Sequence, residues 1–84
     1  MTSNKILKKQ IIYRSTHRGT KELDLLLGNF VRKHIDSFDD SELIDLNKIL
    51  LKEDNLIYDW YFNKKDCDEI QFNRVSKLLK NFKL

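Results

Sequence analysis

Arg18, Gly19 and Glu22 stand together in the stretch RSTHRGTKELDLLLGNF, from Arg14 to Phe30, where a basic, polar segment passes into an apolar, periodic one. A guanidinium beside an acid at an exposed corner offers a planar fork of donors, suited to carboxylates or backbone carbonyls of another molecule. A glycine at the junction can take a positive φ at little steric cost and leaves the backbone open to a close partner. Glu22, in the first turn of the following helix, could return its carboxylate to the Gly19 amide as half of a capping box. Taken alone, Gly19 and Glu22 are equally well explained as helix punctuation, and Arg18 is what shifts the reading toward a contact surface. Arg14 lies one turn before Arg18 and shares its face. His17 is the titrating side chain beside the corner, read as a structural or contact group. Asp24 either extends the same surface or keeps the helix soluble. The candidate partner-binding set is therefore Arg18, Gly19, Glu22, Arg14, His17 and Asp24.

Other chemistry finds little footing. His17, His34 and Cys67 lie far apart and none belongs to a spaced ligand pair, so no metal is expected. Nucleophilic catalysis would need a base and an orienting third group that cannot be assembled, and no Gly-rich phosphate loop is present. Asp39, Asp40 and Glu42 are neighbouring carboxylates, better explained by helix capping than by acid-base work. The chain is not expected to be an enzyme.

Eighty-four residues allow one small domain, expected to span 1–84 with 1–3 and 83–84 frayed. Such a chain buries only about 60 to 65% of its unfolded surface, which disfavours a deep catalytic cavity. One cysteine, Cys67, permits no intramolecular disulfide and suits a reducing compartment. The amino terminus, MTSNKILKKQ, carries no signal-peptide run and no transit peptide, and no stretch approaches the roughly 20 residues needed to span a bilayer. These features point to the cytosol, favour a bacterial source and exclude direct membrane insertion. Residues 1 to 35 carry eight basic and two acidic side chains, 36 to 63 two and eight, and 64 to 84 six and three, giving +6, −6 and +3. A field polarised in this way can steer and orient a protein partner. The acidic middle argues against a duplex binder.

The elements that position the corner are helical. With no proline, two glycines and few alternating runs, the chain reads as all-α, a single small five-helix bundle. The first helix, about 4 to 17, places Leu7, Ile11 and, as a further candidate, Tyr13 inward, with Lys5, Lys8 and Lys9 toward water. The second, about 20 to 35, buries Leu23, Leu26, Leu27 and Phe30, with Val31 or Ile35 beside them. Gly28 inside it costs roughly 1 kcal/mol relative to alanine and is read as permitting close helix packing. Asp39 with Glu42 makes a capping-box arrangement for a third helix, about 40 to 51, burying Leu43, Leu46, Ile49 and Leu50. After Glu53 and Asp54 comes a short aromatic-rich fourth helix, about 55 to 62, whose aromatics are read first as core packing, Trp60 among them, with Tyr58 or Tyr61 as an exposed anchor the alternative. Asp66 and Glu69 repeat the capping spacing and predict a fifth helix over about 67 to 81, with Ile70 or Phe72, Val75, Leu79 and Phe82 inward.

The segment Tyr13-Arg14-Ser15-x-His17-Arg18-Gly19-Thr20-Lys21-Glu22-Leu23-Asp24-Leu25-Leu26-Leu27-Gly28-x-Phe30 closely resembles the succinate dehydrogenase assembly factor family, whose bacterial members are called SdhE. The family's RGxxE motif falls on Arg18, Gly19 and Glu22. A second block, Leu50, then Glu53-Asp54, then Ile57-Tyr58-Asp59-Trp60, resembles its LL, acidic pair and LFxWL pattern, and the resemblance covers roughly residues 6 to 80. It implies an accessory protein that binds the flavoprotein subunit of succinate dehydrogenase and promotes covalent attachment of FAD to that subunit. Fumarate reductase flavoproteins are a further class of client. The resemblance puts FAD on the client and leaves no cofactor stably bound here, with the free chain a monomer. Two other readings compete. One is a small basic-faced nucleic-acid-binding helical domain using Arg14, Arg18, Lys21 and the first helix's lysines on phosphates. The other is a toxin-antitoxin role, once attached to some members of the family.

Overall fold

The computed structural model describes residues 2–83, with side chains from residue 5 onward, so Met1 and Leu84, expected to fray, lie outside the described residues. Five α-helices follow one another: α1 (Thr2–Thr16), α2 (Lys21–His34), α3 (Asp40–Leu50), α4 (Asp54–Tyr61) and α5 (Arg74–Asn81). A 3-10 turn, Ile35–Ser37, joins α2 to α3, and the described residues contain no strand. The all-α, five-helix expectation holds.

In α2, α3 and α5 an apolar face coincides with a side chain that caps the first amides, Thr20, Asp39 and Asn73 in turn. In α2 the buried stripe is Leu23, Leu26, Leu27, Phe30 and Val31. In α3 it is Leu43, Leu46, Ile49 and Leu50, and the Asp39–Glu42 capping box is complete in both directions. With Ile11 from α1 and Ile57 and Trp60 from α4, these side chains form a single core. Phe38, in the break between α2 and α3 where no helical period runs, is also buried in it. Tyr13 is not: it is 61% exposed and stacks on His17 instead. On α1 the inward positions are Leu7, Ile11 and Ser15, spaced four apart, and Tyr13 falls on the opposite side.

The largest correction concerns α5, which begins at Arg74 and not near residue 67. Asn73 is its N-cap, accepting from the Ser76 amide while the Ser76 hydroxyl accepts from the Asn73 amide. Between α4 and α5 runs an irregular segment. It opens with Lys64 in the left-handed region at φ 57°, where the Lys65 amide returns to the Asp59 carbonyl and ends α4. Within it Ile70 turns into the core while Phe72 is 85% exposed, so no continuous apolar face exists before Val75 to hold a helix. Asp66 and Glu69 have capping spacing with nothing periodic behind them.

The α5 end closes over an aromatic cluster in which His34 lies against Phe30, Phe38 and Phe82. Burial first, then the neighbouring charges of Lys33 and Arg74, hold the imidazole pKa below its ordinary value. Arg74 also reaches Glu42, and this hydrogen bond, with the Asp39 amide, keeps the Glu42 carboxyl below its ordinary range.

Gly28 is buried, and a Cβ there would meet Thr16 Cγ2 at 3.6 Å, an ordinary van der Waals distance. The expected need for extra-close helix contact is therefore absent. Gly28→Ala should stabilise the chain by about 1 kcal/mol, raising the midpoint of a circular-dichroism melt by roughly 4–8 °C.

Candidate functional site

Helix α1 ends at Thr16, and after four intervening residues α2 begins at Lys21. Ser15 and Thr16 hydroxyls bond back to the Ile12 carbonyl, and His17 Nδ1 lies 2.8 Å from the Tyr13 carbonyl. The chain then turns through Arg18 and Gly19. Thr20 is the N-cap of α2, its hydroxyl accepting from the Leu23 amide at 3.2 Å. This moves the N3 position to Leu23, so Glu22 does not take the capping-box place expected for it. The residue that reaches back is Asp24, whose Oδ1 accepts from the Arg18 amide at 2.6 Å. Glu22 is left exposed.

The Arg18 guanidinium is turned inward, with only 8% of its side chain exposed. Nη1 donates to the Leu50 carbonyl at 2.7 Å and to Arg14's carbonyl at 3.3 Å, while Nη2 donates to the Lys52 carbonyl at 2.9 Å. Nη2 also pairs with Asp54 Oδ1 at 2.7 Å. The fork of donors read from sequence as an offering to another molecule is thus used on this chain's own α3 C-terminus and α4 N-terminus. Its targets are the groups such a fork suits: two carbonyls at the end of a helix, left without helical partners, and one carboxylate at the start of the next. Nε is buried with no partner.

Asp54 carries the second half of the arrangement. Its Oδ2 accepts from the Gly19 amide at 2.5 Å. One carboxylate therefore joins the Arg18 side chain to the Gly19 backbone, and both to the start of α4. Gly19 does not use the positive φ expected for it, for neither glycine has one. Its position is exposed all the same.

Of the six candidate residues, Gly19, Glu22 and His17 face solvent, while Arg14 and Asp24 are half-buried. Arg14 Nη1 donates to Asn47 Oδ1 at 2.9 Å, so Arg14 and Arg18 do share a face, and that face lies against α3. With these two cations engaged inside the fold, the phosphate-binding reading loses two of its three corner cations. Beside Gly19 a hollow of about 460 Å³ is lined by Thr20, Glu22, Asp54, Asn55, Tyr58 and Asp59. Tyr58 is half-buried on its wall, while Tyr61 packs in the core and donates to the Phe82 carbonyl. Sequence reasoning passed over Asp54 as punctuation. The signal available was that a buried arginine needs a carboxylate, but nothing local points from position 18 to position 54.

Among the described residues, no group of three or more His, Cys, Asp or Glu side chains could hold a metal ion. No described helix is long and apolar enough to cross a membrane.

Replacing Arg18 by lysine keeps the charge but loses the planar fork, leaving at least one buried carbonyl unpaired. Arg18→Lys should lower stability by roughly 2 kcal/mol in urea unfolding, with the slope of the transition unchanged.

Residues 9–83 match the family described as "Flavinator of succinate dehydrogenase". The chain is 36% identical over 75 residues, 89% of its length and 53% of the relative's, to "Succinate dehydrogenase assembly factor 2, mitochondrial" of Dictyostelium discoideum. To "FAD assembly factor SdhE" of Acetobacter pasteurianus it is 37% identical over 62 residues, 74% of this chain and 57% of that one. The protein of the former name from Meyerozyma guilliermondii is 43% identical over 53 residues, covering 63% of this chain and 39% of the relative. The chain spans about half the length of the curated relatives it matches. No solved structure matches it significantly. With residues 9–83 matched, the chain belongs to the succinate dehydrogenase flavinator family.

Proposed function

We propose that this chain is an assembly factor that binds the flavoprotein subunit of succinate dehydrogenase and promotes covalent attachment of FAD to it. The observation that carries the reading is the corner itself. An exposed glycine backbone is tied at its amide to Asp54 and flanked by exposed His17 and Glu22, on a support locked by Arg18. A surface that is rigid before it meets its partner loses little entropy on docking. Nothing in it resembles a set of catalytic groups. The related proteins' names, an assembly factor for succinate dehydrogenase and an FAD assembly factor, support the same role.

On this reading Gly19, Glu22 and His17 touch the client, with Arg14 and Asp24 at the edge and Arg18 acting from behind. The hollow lined by Glu22, Asp54 and Asp59 is acidic and suits a basic or hydrogen-bond-donating segment of the flavoprotein. The flavoprotein forms its own bond to the flavin; the assembly factor favours the competent arrangement. It can raise the population of that arrangement only as far as its affinities for the two states differ. FAD stays with the client. Fumarate reductase flavoproteins, which undergo the same attachment, are a second client class, and the free factor works as a monomer.

The test is in-gel fluorescence of covalently bound flavin on the denatured flavoprotein, made together with this chain, with its Gly19→Arg variant, with Glu22→Ala, or alone. The fluorescent band should be strong with the unaltered chain and fall to the level of the flavoprotein alone with Gly19→Arg. Glu22→Ala, which breaks no internal contact, should weaken the band while leaving the melting temperature of the free factor unchanged. Equal bands in all four would end the assignment.

A further inference from the structure

The corner has a glycine whose usual justification is missing. Gly19 has no positive φ, so its backbone is open to alanine as far as torsion goes. What excludes a side chain is space. A Cβ at position 19 would stand 2.5 Å from Asp54 Oδ2 and 3.7 Å from Asp54 Cγ. The carboxylate that would be struck is not free to move aside. Oδ2 holds the Gly19 amide at 2.5 Å, and Oδ1 holds Arg18 Nη2 at 2.7 Å. Swinging away from a Cβ would release the amide and disturb the guanidinium together.

We propose that position 19 is glycine to admit the Asp54 carboxylate, and that Asp54 is the positioning residue of the docking corner. It acts on the partner through the Gly19 backbone and Arg18. Its functional arm rests on the docking reading above, whereas its steric arm concerns this chain alone. A partner pressing on Gly19 would also demand a glycine, so the two causes make different predictions once Asp54 is shortened.

The experiment is a double-mutant cycle of Gly19→Ala and Asp54→Ala, with Asp54→Asn as the conservative control. Urea unfolding of the free chains is read alongside calorimetric binding to the isolated flavoprotein subunit. Gly19→Ala alone should lower both stability and affinity. In the Asp54→Ala background, where the Cβ has room, the same change should cost no stability, and its cost in affinity should shrink. Asp54→Ala alone should weaken client binding roughly tenfold. Asp54→Asn, which keeps an acceptor for the Gly19 amide but turns a donor toward Arg18 Nη2, should recover only part of that loss.

Additive stability costs for the two alanine changes would overturn the steric arm. If Gly19→Ala still abolished binding in the Asp54→Ala background, with the free chains folded, the glycine would be demanded by the partner and the proposal would fail. Unchanged affinity for Asp54→Ala would remove its positioning role. Should the unaltered chain itself not bind the subunit, the docking reading fails, and the unfolding cycle still decides the steric arm.

Discussion

A single guanidinium holds one end of this molecule together. Arg18 sits where α1 stops, reaches across to the last carbonyls of α3 and meets the first carboxylate of α4, so three helix ends converge on one planar group. Burying a charge costs on the order of several kcal/mol unless its donors are met. Here Nη1 and Nη2 find three carbonyls and a carboxylate, and Nε alone goes unmet. Without these bonds, the loop from Leu51 to Glu53 would have nothing to fasten it to the α1–α2 turn.

From that lock follows the character of the surface. The corner's amides are oriented from inside, Arg18 by Asp24 and Gly19 by Asp54, and the outward groups are left for another molecule. Arg14, Arg18, Asp24 and Asp54 at the corner are spent on architecture. The chain has scope as a template. Binding a client through a preformed backbone corner and an acidic hollow would bias the client's conformations without any moving part in the factor.

The stripes of α2 and α3 were legible in the sequence because each combines a 3.6-residue apolar period with a capping group in register, as at Asp39 and Glu42. The same capping spacing at Asp66 and Glu69 misled, since the residues after it offer only Ile70 to the core and the helix waits for Asn73. A cap allows a helix; an apolar face downstream makes one. Phe38 was lost for the opposite reason, a core residue standing alone in a break with no period to announce it. At the corner, residue types told the truth and partners did not. Arg18, Gly19 and Glu22 were identified as special, yet their uses differ from a local reading: the fork serves carbonyls more than thirty positions on, the glycine makes room for a carboxylate, and Glu22 caps nothing. Pairings across that separation come from packing α1 against α3, which no spacing near residue 18 encodes.

The exposed corner is locked from within before any partner arrives. Hydrogen exchange at the Gly19 amide of the free protein, followed by NMR, tests it most directly. An amide held by Asp54 should exchange far more slowly than its solvent exposure would suggest, and should speed up when Asp54 is replaced by alanine. Exchange at the rate of an unstructured peptide, unchanged by that replacement, would contradict the account.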